Sequence, residues 1–152
     1  MADPTKATFY YPPLGFYYSV KFGISEVTDD ARFQSVSGLS VEMEFETYRE
    51  GGLNEYEHKL PGRAKYADLV LKRGMFLDSK VTEWCLNAFQ NREFLPSEIT
   101  ITLMNEKHEG LRSWCVKNAL PKKWVVSDFN SGESAVVVET LELVYTSFTV
   151  KK

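Results

Sequence analysis

Residues Thr47 to Gly74 read TYREGGLNEYEHKLPGRAKYADLVLKRG. The stretch opens on the pair Gly51-Gly52, crosses a charged segment, and turns at Pro61-Gly62. It then alternates from Tyr66 to Arg73, with Ala67, Leu69 and Leu71 on one face and Asp68 and Lys72 on the other. A connection this long inside a compact domain is usually functional or disordered. Leu53, Tyr56, Leu60 and Tyr66 give it apolar anchors that a flexible linker lacks. The reading is an ordered interaction arm over 47–65, feeding a strand that Gly74 ends. Its packing partner is either its own domain or another copy of the chain.

Working upstream, Phe16, Tyr18, Val20, Phe22 and Ile24 share one face of an alternating run, the mark of a half-buried strand. Thr28-Asp29-Asp30 reads as a turn, and Arg32 to Val36 as a second strand broken at Ser37-Gly38. Val41, Met43 and Phe45 then alternate with Glu42, Glu44 and Glu46. The apolar set is expected to point inward. Three carboxylates in register repel one another, so their face must see water. Residues 1–15 form an N-terminal arm, because Pro4, Pro12, Pro13 and Gly15 discourage regular structure. Phe9, Tyr10 and Tyr11 in that arm call for a docking surface.

Working downstream, a helix is predicted from Ser79 to Asn91. Asp78 or Ser79 caps it, and Val81, Trp84, Cys85, Ala88 and Phe89 form its apolar face. Pro96 keeps it from continuing. Glu98 to Met104 is a strand with Ile99, Ile101 and Leu103 inward and Thr100 and Thr102 outward. A hairpin loop at 105–110 leads to a strand over 111–119, a corner at Pro121, and a further strand over 124–129. Asn130-Ser131-Gly132 turns the chain into a last long strand, 135–150, whose phase slips near Glu139 to Leu141. The expected fold is mostly β: an antiparallel β-barrel or sandwich of about seven strands with one flanking α-helix. Residues 16–152 form its single domain.

Composition narrows the function. The chain has 152 residues and a formal net charge of −3. It lacks the basic footprint of a nucleic-acid protein, so no stable nucleic-acid site is expected. No apolar run is long enough for a membrane anchor. The N-terminus lacks a basic segment followed by an apolar one, so synthesis in the cytoplasm without a signal peptide is expected. Cys85 and Cys115 fall in different patterns and read as two buried thiols rather than a disulfide.

The residues needed for catalysis are not assembled. His58 and His108 each sit in a charged loop, EYEHKLP and NEKHEG. The Cys and His residues are scattered singly, whereas a zinc site needs them clustered. Gly51-Gly52 lacks the spacing and the following Lys-Ser/Thr of a phosphate loop. No serine has the setting of a nucleophile elbow. Neither an enzyme nor a cofactor or metal site is expected. The remaining signal is structural: long strands with unpaired edges invite pairing with another chain, and head-to-tail contacts close into rings when the rotation allows.

The ordered blocks FQSVSGL (33–39), YREGG (48–52), KLPGRAKY (59–66), LKRG (71–74), WCLNAF (84–89) and NALPKKW (118–124) resemble the tail-tube proteins of contractile phage tails and the inner-tube proteins of extracellular contractile injection systems. The resemblance covers nearly the whole chain after about residue 14. It implies a β-barrel protomer that closes into six-membered rings with a continuous β-lined lumen, stacked as a tube inside a contractile sheath. Baseplate and spike proteins are implied as further partners, luminal cargo as what the tube delivers, and a phage tail or extracellular tail-like particle as the final location. On this resemblance, Glu50, Gly51, Gly52, Lys59, Leu60, Pro61, Gly62, Lys72 and Arg73 are candidates for contacts between subunits or rings. Glu42, Glu44, Glu46, Thr100 and Thr102 are candidates for the lumen wall. Two related roles stay open: a baseplate-proximal ring that initiates the tube, and a secreted ring that carries effectors in its lumen.

Overall fold

A computed structural model describes residues 13–15, 17–24, 32–52 and 54–152. The aromatics of the N-terminal arm, Phe16, the turn at 28–30 and Leu53 lie outside the described residues. Along the chain run β1 (Tyr18–Phe22), β2 (Ser35–Ser37), β3 (Val41–Tyr48), β4 (His58–Tyr66), β5 (Leu69–Gly74), α1 (Lys80–Gln90), β6 (Ser97–Met104), β7 (Gly110–Val126), β8 (Val138–Val144) and β9 (Ser147–Lys151). Seven strands form one antiparallel sheet in the order β1-β6-β7-β8-β5-β2, with β9 also on β7. Strands β3 and β4 form a separate two-stranded sheet.

The period-two pattern of each strand explains the core. Val20 and Phe22, Ile99 and Ile101, Leu69 and Leu71, and Leu141 and Leu143 meet in one buried cluster. Each such side chain contributes about 1.5–3 kcal/mol by leaving water. The sheet curls until its end strands approach. Tyr18 Oη donates to the Phe33 carbonyl at 2.8 Å, and the Phe22 and Phe33 rings lie 5.9 Å apart. Burial pushes the Tyr18 phenol pKa above its ordinary value.

The helix closes the cluster with Val81, Trp84, Cys85 and Ala88. Ser79 caps it by accepting a hydrogen bond from the Thr82 amide at 3.2 Å. Trp84 packs edge-on against Phe22 and donates its indole N–H to the Leu95 carbonyl at 2.7 Å. Phe89, expected on the apolar face, remains exposed. Arg92, in the left-handed region at φ 55, stops the helix just beyond Asn91.

The second half of the chain corrects the sequence reading. The strands expected on either side of Pro121 are one 17-residue strand, β7. The register passes from Ile99↔Val116 to Ser97↔Ala119, so Lys117 and Asn118 both stand opposite Glu98. Asn118 absorbs this bulge at φ 53, a conformation that asparagine tolerates better than most residues. Pro121 lies at a second irregularity, between Pro121 and Lys123, where its missing N–H does little harm to the ladder. Before the Lys117–Asn118 bulge β7 pairs with β6 and β9; beyond it the pairing partner is mainly β8.

The final strand is correspondingly split in two at Tyr145–Thr146, where the Thr146 amide donates to the Lys117 carbonyl at 3.1 Å. The phase slip expected near Glu139 does not occur. Glu139, Leu141 and Leu143 share one buried face, and the apparent slip was a carboxylate standing in the core.

Candidate functional site

The stretch 47–65, expected as an arm, is largely strand: β4 pairs with β3 to make a ribbon that stands off the main sheet. The single strand expected over 66–73 is accordingly two, β4 and β5, separated at Ala67-Asp68. Val41, Met43 and Phe45, expected to point inward, are 51%, 46% and 59% exposed. Their alternation does mark an apolar face, but the protomer does not cover it. The register adds Tyr66, Ala64 and Pro61 of β4 to that same face. The other face carries Glu42, Glu44, Glu46 and Tyr48, with Lys65 opposite Glu42, Leu60 opposite Glu46 and His58 opposite Tyr48. Between Ala64 and Pro61 the register shifts, so Gly62 and Arg63 form a bulge opposite Glu44. A side chain at Gly62 would lie 3.1 Å from the Glu44 carbonyl oxygen.

The ribbon is fixed at its root. Gly38 has φ +95, and a Cβ there would sit 1.9 Å from the Asp68 carbonyl oxygen, so only glycine lets these two segments cross. Tyr145 Oη donates to the Gly38 carbonyl at 3.0 Å. The Tyr66 ring meets Tyr145 and Phe148 edge-on at 5.8 and 5.4 Å. Asp68 accepts a hydrogen bond from Lys122, and that bond raises the lysine's pKa.

The tip is organised by charge. Arg49 pairs with Glu57, and His58 Nε2 lies 3.5 Å from Glu50. Gly51 and Gly52 turn the chain there with open space around them, Gly52 at φ +97.

A buried polar cluster supports the body beneath. Arg73 donates to Glu139, Ser79 and Thr82. Glu139 also accepts from the Trp124 indole N–H at 3.2 Å. The guanidinium lies 5.1 Å from the Phe33 ring centroid and 5.3 Å from that of Phe76.

The residues singled out from the sequence are thus dispersed. Glu50, Gly51 and Gly52 occupy the ribbon tip, and Lys59, Leu60, Pro61 and Gly62 occupy β4. Lys72 is exposed on β5. Arg73, expected at a contact between rings, is fully buried inside the protomer and paired there. Its alternation with Leu69 and Leu71 was the available signal. Glu42, Glu44 and Glu46 lie on the ribbon, whereas Thr100 and Thr102 lie half-buried on β6 of the main sheet. Thr102 Oγ1 is 2.9 Å from Ser113 Oγ. Arg63 and Lys65, on the charged face, were missed because Pro61-Gly62 read as a turn rather than as a bulge within a strand.

Among the described residues, no group of three or more His, Cys, Asp or Glu residues is placed to hold a metal ion. No described helix is long and apolar enough to cross a membrane.

Comparison with known proteins accounts for this architecture. The family model for T4-like virus tail tube protein gp19 matches residues 14–149. The chain belongs to this tail tube family. The chain is similar to a chain in the 6-fold symmetrised cryo-EM structure of the anti-feeding prophage baseplate, at 28% identity and TM-score 0.84, over 93% of this chain and 96% of that one. It is also similar to a chain of the PVC extracellular contractile injection system, in its sheath–tube complex in the extended state. There the identity is 25% and the TM-score 0.81, over 99% of both chains. Hcp1 from Flavobacterium johnsoniae shares the fold at 11% identity and TM-score 0.53, over 89% of this tube protein and 94% of Hcp1. No curated protein matches the chain.

Proposed function

We propose that this tail tube protein is the repeating subunit of the inner tube of a contractile, phage tail-like particle. Six copies close into a ring, and rings stack into a hollow conduit through which cargo is delivered. The observation that carries this reading is the uncovered apolar face of the β3–β4 ribbon, Val41, Met43 and Phe45, on a chain whose family is tail tubes. A monomer that leaves such a face in water is an incomplete structure, and a neighbouring copy is the partner that a tube supplies.

In this reading the ribbon is the interaction arm. Glu50, Gly51, Gly52, Lys59, Leu60, Pro61, Gly62 and Lys72 contact a neighbouring subunit or ring. Glu42, Glu44 and Glu46 line the lumen, with Thr100 and Thr102 on β6 as its second polar surface. The role is structural rather than catalytic. Sheath and baseplate partners are supported by the sheath–tube and baseplate assemblies that hold its relatives. The site of action is an extracellular tail-like particle. A baseplate-proximal initiator ring is the second reading, supported by the likeness to a chain of the anti-feeding prophage baseplate.

Negative-stain electron microscopy across a concentration series tests the assignment. Stacked rings with a stain-filled centre are expected. Discrete rings that never stack would favour the initiator, and monomers at every concentration would count against the tube subunit.

A further inference from the structure

The strands of the main sheet do not close into a ring among the described residues. Its end strands are β1, which pairs with β6, and β2, which pairs with β5, so each keeps one edge unpaired there. Tyr18 of β1 bridges the seam by reaching the Phe33 carbonyl just ahead of β2. At this seam lies a mostly apolar cleft of about 290 Å³. Ile101, Leu103 and Trp114 line it from β6 and β7, Val36 and Leu39 from the β2 side, and Gly15 from just ahead of β1. An apolar cavity of about 150 Å³ accepts a benzene ring. This cleft therefore has room for about two aromatic rings.

We infer that the chain's own N-terminal arm fills the cleft. Residues 7–11 run back along the free edge of β1 and seat the Phe9 and Tyr11 rings against Ile101, Leu103 and Trp114. The inference goes beyond the tube-subunit reading and does not rest on it.

The arm matches the cleft in position, direction and content. In Pro12-Pro13-Leu14-Gly15 the second proline and the glycine hold the places those residues favour in a type I turn. Gly15 is itself in a turn. Such a turn sends the residues before it back antiparallel to β1, the direction in which a short connection pairs two strands. In an extended segment Ala7, Phe9 and Tyr11 share one side, and Thr8 and Tyr10 the other. Two rings, as many as the cleft holds, thus face it together. Tyr11 is four residues from Gly15 and Phe9 is six. An extended chain spans about 3.4 Å per residue, so both reach across a cleft of this size. The arm of another copy competes poorly, because a short tether holds the chain's own arm at an effective concentration on the order of millimolar. Seated there, the arm also removes the β1 edge as a template for wrong partners.

Photo-crosslinking in the full-length chain tests the inference. The photoreactive residue p-benzoyl-phenylalanine replaces Tyr11 in one sample and Tyr10 in another. Each is mixed with heavy-isotope copies of the parent before irradiation, so that mass spectrometry separates links within one chain from links between copies. Position 11 is expected to link to the segments holding Ile101, Leu103 or Trp114 of its own chain, and position 10 to leave them unlabelled. Links from position 11 to another copy, links to other segments only, or no links at all would overturn the inference.

Hydrogen exchange on dilute protein gives a second reading. The β1 amides that do not bond to β6 are expected to exchange about tenfold faster or more in Phe9→Ser/Tyr11→Ser than in the parent. Tyr10→Ser is expected to leave them unchanged. Equal exchange in the parent and the double variant would also overturn the inference. Neither measurement depends on whether rings stack, so a negative result here leaves the tube-subunit reading standing.

Discussion

Arg73 on β5 and Glu139 on β8 stand opposite each other in the ladder and form an ion pair with both side chains completely out of water. Ser79 and Thr82 bring the start of α1 to the same guanidinium, and Trp124 brings β7 to the same carboxylate. The cluster therefore ties three strands and the helix together. Replacing one partner, by Arg73→Met or Glu139→Gln, disrupts a buried network and in the Arg73 case leaves an uncompensated charge. We expect a loss of about 3–5 kcal/mol for Arg73→Met. The double variant Arg73→Met/Glu139→Gln is expected to lose less than the sum of the two single changes. Urea denaturation of all four proteins measures both quantities.

Gly38 and Gly52 both have φ near +95, yet their surroundings differ. A Cβ at Gly38 meets the Asp68 backbone, whereas nothing lies within 4 Å of one at Gly52. Gly52→Ala is expected to cost about 1–3 kcal/mol of backbone strain, borne locally at the ribbon tip. Gly38→Ala adds a backbone collision and is expected to exceed that range and to weaken the Tyr145–Gly38 hydrogen bond. Thermal denaturation ranks the two, and hydrogen exchange at the ribbon root separates local from global loss.

Burial pushes the Cys85 thiol from 9.0 to about 12, with Glu139 adding to the rise and Arg73 opposing it. The unfolded chain thus releases this proton first. The thiol's contribution to stability is complete below pH 9.0 and is lost as pH rises from there through about 12. Cys85→Ala is expected to show a flatter decline of stability over that window than the parent. Native Cys85 is also expected to resist alkylation at pH 8 and to react once urea unfolds the chain. Rapid labelling of the native thiol, read by mass spectrometry, would contradict its burial.

Met43 and Phe45 are well exposed on the apolar ribbon face. Surface substitutions of this kind usually change stability by no more than about 0.5 kcal/mol. Met43→Lys/Phe45→Lys is therefore expected to melt like the parent but to lose association. A double variant that still forms tubes would remove this face from the contact.

Much of this protein was set by local pattern. Alternation in β1, β5 and β6 placed Val20, Phe22, Leu69, Leu71, Ile99 and Ile101 in the core, and the spacing of Val81, Trp84, Cys85 and Ala88 placed the helix. These signals are readable because a strand repeats every two residues and a helix about every 3.6, whatever lies around them. Tertiary structure decided the rest. The Asn118 bulge and the pairing with β8 and β9 carry β7 through Pro121 and divide the last strand in two. A buried arginine opposite Glu139 makes a charge acceptable on a core face, which no pattern on a single strand can specify. Alternation in β3 likewise marked Val41, Met43 and Phe45 as a face to be covered, but periodicity records only that a side chain is apolar. Whether its cover comes from the same chain depends on where the fold sends the strand, and here it sends β3 off the main sheet into a ribbon of its own.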